Sequence, residues 1–389
     1  MKPELIIFSQ NLLGGGASFH RNMINNKPDD FFDIKTIYLN PSEGNFTKSL
    51  ESDGKKGDIL FTYGNESQYQ IAKRLQRYIS DTEGAIVANL PEELFTLSLF
   101  PRPNKTIYFI CHDDGFIDLA KKYHHLIDIF IAHNFTVYET LQKILSPRIK
   151  DIHFIPHGVS ITDIRRNENY NNPLQIVFLA RHHILKGIYD IPLINQQLIE
   201  NNIKVEWIIL GDGQERENFI VQTKHLDNFK FSIPENTKKL LDILSKTDIY
   251  ILPSRKDGLP VSLLESMSVG CVPIVSNFSE GIKKVVTDNI GYVLDIGNID
   301  LFTQTIIHLH NNRPELEYKS NNAVKTIEKN YDIRVRAKEY FDLYAQYKSL
   351  KINNYDKKQL LILKIKRLYY FLGVNKLKAI LMPVIKRQS

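Results

Sequence analysis

Little in this 389-residue chain belongs to a disulfide-built protein: it has two cysteines, Cys111 and Cys271, each beside an apolar run. Two cysteines cannot make a disulfide framework, and buried thiols fit a reducing compartment. Long hydrophobic runs are also missing. No apolar stretch reaches the roughly 18 residues that suggest a membrane span. The opening MKPELIIFSQ has too short an apolar core for a signal peptide and reads as a first β-strand. No third glycine stands at dinucleotide spacing, which disfavours a nicotinamide cofactor. Asp113 and Asp114 adjoin, but no further acidic or histidine cluster near them makes a Mg²⁺ or Mn²⁺ site. The expectation is a cytoplasmic protein without metal or organic cofactor, peripheral on the inner face of the cell membrane at most.

Charge of one sign is scarce where it would matter for nucleic acid. The net charge is +6, but Lys357–Ser389 alone holds nine Lys/Arg and no Asp or Glu. The rest of the chain is therefore net acidic, and no nucleic-acid partner is expected. With 43% hydrophobic and 24% charged residues, the composition is that of a soluble globular protein long enough for two domains.

Short apolar, β-branched runs recur along the chain with room for a helix between them. In the first half they are 5–8, 34–39, 59–61, 85–90, 106–111, 127–132 and 152–155. In the second half they are 175–180, 205–210, 229–231, 248–252, 272–275 and 291–294. Between them, 237–244 and 261–269 have helical spacing. Many runs are continuously apolar, as suits parallel strands covered on both faces. The alternation predicts an α/β protein with two Rossmann-like, doubly wound domains. The polar, Asn-rich stretch ending at Pro173 marks the boundary. The domains are expected over 1–165 and 172–333. The aromatic-rich segment 334–350 is expected to be a helix returning to the first domain, and 351–389 a basic amphipathic tail.

Several groups stand where such sheets bind ligands. Arg181 and then Lys186-Gly187 follow the strand ending at Ala180; such a pair can hold a diphosphate, Arg as a fork and Lys as a point charge. Taken alone, they read equally as solvated loop charges. The next strand runs into Gly211-Asp212-Gly213, where glycines permit tight turning and close approach to a ligand. Residues 253–276, PSRKDGLPVSLLESMSVGCVPIVS, present Asp257, Gly258 and Leu259 on a loop. Pro260 fits the first turn of the helix that follows. Glu265 lies within that helix, and Gly270 ends it. Asp257 and Glu265 can grip hydroxyls at two ends of one ligand; a helix cap and a solvated helix face are the plainer readings. In the first half, Gly14-Gly15-Gly16 after the first strand allows backbone amides to approach a phosphate or sugar, or makes a turn with no ligand. His112 ends another strand, as a proton-transfer group or a turn cap. His20 reads as a helix-surface residue and His157 as structural.

The pieces Arg181 with Lys186-Gly187, the Gly211–Glu215 loop, and Asp257…Glu265 with Gly-Leu-Pro and Gly-Cys-Val-Pro resemble the donor domain of glycosyltransferase family 4. Those are retaining enzymes with the GT-B fold, and the resemblance extends over most of 1–350. It implies two domains facing a central cleft, with a C-terminal helical extension. It implies that Arg181 and Lys186 bind the donor diphosphate. Asp257 and the amides of Gly258 and Leu259 would contact the transferred sugar, and Glu265 the ribose. His112 would lie beside the sugar and the acceptor. The family usually has Glu where this chain has Asp257, one methylene shorter.

The function this implies is retaining, metal-independent transfer of a sugar, of the hexosyltransferase type. The donor would be a UDP-sugar or GDP-sugar and the acceptor a glycan or a lipid-linked molecule, in polysaccharide or glycoconjugate biosynthesis. The alternatives are a nucleotide-sugar epimerase on a similar fold, and a non-catalytic nucleotide-sugar or membrane-binding protein. The basic tail has the pattern of an interfacial helix drawn to anionic lipid, or equally of a helix packed on the body.

Overall fold

The structure, a computed structural model, describes residues 2–10, 15–41, 58–166, 173–352 and Tyr370. Gly14, residues 167–172 of the Asn-rich stretch, and the basic tail from 353 onward, Tyr370 aside, lie outside the described residues.

Among the described residues, thirteen strands form two parallel sheets. The first holds β1 (Glu4–Gln10), β2 (Asp33–Pro41), β3 (Ile59–Tyr63), β4 (Gly84–Ala88), β5 (Lys105–Cys111), β6 (Ile129–Ala132) and β7 (Ile152–Phe154). The second holds β8 (Leu174–Leu179), β9 (Val205–Leu210), β10 (Phe229–Ser232), β11 (Ile249–Leu252), β12 (Val272–Ser276) and β13 (Tyr292–Leu294). Each apolar run read from the sequence is one of these strands. The reason is burial on both faces: β4, β5, β6, β11 and β12 are buried at every residue, so hydrophobicity is continuous and unambiguous.

The strand orders are β3-β2-β1-β4-β5-β6-β7 and β10-β9-β8-β11-β12-β13. Both sheets reverse direction of winding once, between β1 and β4 and between β8 and β11. At such a switch point the crossover helices diverge to opposite faces and leave a crevice at the carboxyl ends of the strands. The two domains are thus doubly wound.

Each sheet has its own apolar core. One face of the first sheet is covered by the helix Gly15–Asn25 and by the helix Ile333–Ala345, which comes from beyond the second sheet. Tyr340, Phe341 and Tyr344 of that helix are buried against Leu5, Ile7, Tyr108 and Ile110. Tyr340 donates from its hydroxyl to the Ile155 carbonyl at 2.7 Å, and Tyr108 donates to the Leu343 carbonyl at 2.9 Å.

The chain crosses between the sheets twice, side by side. Val159 and Asp332 form a parallel bridge, with Val159 N–H on the Tyr331 carbonyl (2.8 Å) and Ile333 N–H on the Val159 carbonyl (2.9 Å). A β-carbon on Gly158 would fall 2.6 Å from Ile333 Cα, so only glycine lets the two crossings touch. No helix among the described residues is long and apolar enough to cross a membrane.

Candidate functional site

The loops after β8 and β11 meet at the second sheet's switch point. After β8 the chain makes a short turn over Ile184–Lys186 and enters Gly187 at φ +73°. A β-carbon there would fall 2.0 Å from the Pro253 carbonyl oxygen. Glycine is therefore required twice over, by handedness and by space. The two loops are laced together: Arg255 N–H donates to the Leu185 carbonyl at 2.8 Å, and Ser254 Oγ donates to the same carbonyl at 2.9 Å. Arg255 also grips Asp190 with both guanidinium ends, one at 2.8 Å.

This lacing sets Lys186 beside Asp257, and the two form an ion pair. The other Asp257 oxygen accepts from the Gly258 amide at 2.9 Å. In this structure the Asp257 carboxylate is thus committed to Lys186 and its own turn. Arg181 is exposed, and no ion pair or hydrogen bond from a described residue engages its guanidinium. Leu259 is buried and pins the loop. Pro260 caps the helix Val261–Val269, one position earlier than expected, and no side chain caps its first amides. Gly270, at φ +100°, ends it. Uncapped amides at a helix start attract anions. One turn on, Glu265 keeps some exposed area while protein crowds its carboxyl, and that burial pushes its pKa up to about 7. Crowding, more than exposed area, decides the charge state here.

The Gly211–Glu215 loop behaves differently from expectation. Gly211 (φ +121°) and Gly213 (φ +154°) are close to other backbone: β-carbons would meet the Ala180 carbonyl at 2.2 Å and the His182 carbonyl at 2.5 Å. The glycines make room for the β8 loop that carries Arg181. Their missing side chains thus serve the packing of the two loops.

From the first sheet, the loop after β5 faces these groups. A β-carbon on Gly258 would lie 3.1 Å from the His112 carbonyl oxygen, 3.2 Å from Asp113 Cβ and 3.4 Å from Asn134 Nδ2. The cleft is nearly closed at this point, and it is the main chain of His112 that faces Gly258. The expectation that the His112 imidazole faces the cleft needs correcting. The ring turns inward, with Nδ1 3.1 Å from His133 Nδ1 and Nε2 buried without a partner among the described residues. Burial lowers its pKa to about 4. The aromatic surroundings of Phe19 and Phe116 favour the ring inside, leaving the polar carbonyl at the surface. Asp113 caps the next turn by accepting from the Gly115 amide at 2.7 Å.

His20 is a second correction. It is 2% exposed, its Nε2 lies 3.3 Å from Asn89 Nδ2, and it packs against Phe19 and His112. Gly15 and Gly16 open the helix that carries it. Asn89 in turn donates to the Phe8 carbonyl at 2.8 Å, and Glu93 accepts the Asn89 amide at 2.7 Å. Burial raises the Glu93 carboxyl to about 8. His157 is buried 2.8 Å from His133, in line with a structural reading.

The sequence reading passed over His133, Asn134, Asn89 and Glu93. A signal for the first existed. His133 directly follows the run Ile129–Ala132, as His112 follows β5 and His157 follows β7 closely. A concavity of about 1570 Å³ lies away from these groups, at the amino ends of β1 and β2 beside Tyr347. The chemistry-bearing side chains are at the carboxyl ends, where α/β sheets present ligand sites.

Comparison with known proteins bears on this arrangement. Residues 160–326 match the family model of glycosyl transferases group 1. An Escherichia coli UDP-Gal:alpha-D-GlcNAc-diphosphoundecaprenol alpha-1,3-galactosyltransferase is 26% identical over 38% of this chain and 39% of its own length. A putative colanic acid biosynthesis glycosyltransferase, WcaL of Escherichia coli, is 30% identical over 40% of each. The chain thus spans about two fifths of the length of these curated relatives. Among solved structures, an Anabaena HepE in complex with UDP-glucose superposes with a TM-score of 0.70 at 13% identity, over 88% of this chain and 99% of that one. Sucrose-phosphate synthase from Thermosynechococcus elongatus gives 0.69 at 13% identity, over 89% and 99%. The architecture is therefore GT-B, two Rossmann-like domains facing one cleft.

Proposed function

We propose that the chain, whose residues 160–326 match the model of glycosyl transferases group 1, is a retaining, metal-independent glycosyltransferase using a UDP-sugar or GDP-sugar. The observation that carries the reading is the convergence at one switch point of Arg181, Lys186, Asp257 and the uncapped start of the helix Val261–Val269. The donor diphosphate lies on the two cations and the helix amides. Lys186 leaves Asp257 for the phosphates, and the released carboxylate turns to the sugar hydroxyls. Glu265 holds the ribose. Gly258 and Leu259 offer amides to the sugar, and the His112 carbonyl closes over it from the opposite domain. As the glycosidic bond to the diphosphate breaks, negative charge grows on the leaving oxygen, and preorganised cations stabilise it there. Two cations and a helix start do this work without a divalent ion. Closure of the cleft excludes water, which would otherwise compete with the acceptor hydroxyl.

The acceptor is a glycan or a lipid-linked molecule, in polysaccharide biosynthesis. Support comes from a relative whose name carries UDP-Gal and diphosphoundecaprenol, and from a superposable structure in complex with UDP-glucose. A cytoplasmic enzyme peripheral to the inner membrane face fits such an acceptor.

The test is transfer from radiolabelled UDP- and GDP-sugars. Arg181→Ala and Lys186→Ala should each lower kcat about 10²- to 10³-fold. Arg181→Ala should leave the melting temperature unchanged, because its side chain is exposed. Undiminished transfer in both variants would sink the assignment.

A further inference from the structure

We propose that His112, His133 and His157 form a binding site for one divalent transition-metal ion, with zinc the best match. The three residues stand just past the carboxyl ends of β5, β6 and β7, which are neighbours in the sheet. Parallel register therefore brings three imidazoles together at one end of the sheet, although the residues are far apart in sequence.

Their nitrogens converge. His112 Nδ1 is 3.1 Å from His133 Nδ1, which is 2.8 Å from His157 Nε2, and all three lie within 4.8 Å of one another. A neutral imidazole nitrogen offers one in-plane lone pair or one proton, never both. His133 Nδ1 can satisfy one neighbour with a straight hydrogen bond, and the other is left over. A cation that accepts all three lone pairs removes the conflict. At a zinc–nitrogen distance of about 2.0–2.1 Å, tetrahedral donors stand roughly 3.3 Å apart. The 3.1 Å separation is close to that value, the 2.8 Å pair would have to part and the third pair, within 4.8 Å, to adjust, which rotation of the rings about their side-chain bonds would supply.

The donor chemistry selects the ion. Three neutral imidazoles suit zinc, cobalt, nickel or copper, whereas calcium and magnesium need oxygen ligands. A metal binds imidazoles in their neutral form. The protons then reside on the far nitrogens, His112 Nε2, His133 Nε2 and His157 Nδ1, which have no partner among the described residues. Phe19 lies 4.6 Å from the His133 ring and Tyr340 6.0 Å from it, ring centroid to centroid. The bound ion would thus tie three strand ends together beneath the helices Gly15–Asn25 and Ile333–Ala345. The site is separate from the diphosphate cradle, because the His112 ring turns away from the cleft that its carbonyl faces.

The full-length protein, freed of metal by chelator dialysis, is the test material. One equivalent of Zn²⁺ should raise the melting temperature by about 5 °C or more. One equivalent of Co²⁺ should give the intense visible absorption of a tetrahedral, nitrogen-ligated ion. His133→Gln and His157→Gln should each lose both responses. His20→Gln, a buried neighbour outside the triad, should keep them. If the Gln variants do not fold, the Co²⁺ spectrum of the parent decides: a tetrahedral spectrum supports the site, and its absence overturns it. A parent that shows neither response, or a folded His133→Gln that keeps both, also overturns it.

Discussion

Lys186 and Asp257 neutralise each other across 71 residues of chain, while Arg181 is exposed and has no ion pair among the described residues. An arriving diphosphate must compete with a carboxylate for Lys186, which makes the ammonium an exchangeable ligand and holds it in place meanwhile. Glu265 gives a sharper pH signature. Burial raises its pKa from 4.5 to about 7, so between those values the folded protein keeps a proton that the unfolded chain has lost. Its contribution to stability is therefore present at low pH and falls as pH rises through that window. Glu265→Gln should be more stable than the parent at pH 8, by up to on the order of 3 kcal/mol, and no more stable below pH 4.5. Urea unfolding at the two pH values measures this. The same variant should bind donor more weakly at pH 8, since a carboxylate accepts ribose hydroxyls better than an amide. At this scale the sequence was legible where a group follows a strand directly, as with Arg181 and His112. It was not legible where a partner comes from another strand. The Lys186–Asp257 pair and the inward turn of His112 are both set by neighbours distant in sequence.

Secondary structure was easier to read, because burial on both faces writes itself as continuous hydrophobicity. The strand Val205–Leu210 and the helices Thr237–Leu244 and Val261–Val269 have the bounds expected of them. The long helix Arg313–Asn330 carried no such signal, since its polar composition hides the buried line Leu316, Ala323 and Ile327. The helix Ile333–Ala345 shows what an element contributes when it closes over another domain. Tyr344 is fully buried, stacked edge-on against Tyr108 with ring centroids 5.0 Å apart. Tyr344→Ala leaves a cavity between that helix and the first sheet and should cost about 3–5 kcal/mol. The loss should appear in the unfolding of the first domain, read by chemical denaturation. An undiminished midpoint would mean the helix does not stabilise that sheet.

Across the whole molecule, three contacts among the described residues link the helix Phe135–Ile144 to residues 281–284 of the second domain. Gly281 donates its amide to Thr136 Oγ1 at 3.2 Å, Lys284 pairs with Glu139 at 3.2 Å, and the Lys284 ammonium lies 4.0 Å from the Phe135 ring centre. The ion pair is exposed, and such pairs contribute about 0–1 kcal/mol. Such a contact can yield to substrate exchange. Glu139→Lys should widen the cleft without ligand, seen as a larger radius of gyration in solution scattering, and a saturating nucleotide sugar should restore the parent value. An identical radius with and without the substitution would show that these contacts do not set the angle. The double crossing at Val159 and Asp332 bears on how that angle can change. A single tether would let one lobe twist and slide over the other. Two pinned runs lying flat against each other leave one easy axis, so the lobes swing like a door on its jamb. Each swing must then return the His112 carbonyl to the same place over Gly258, and positional accuracy at the cleft is inherited from a ribbon well away from it.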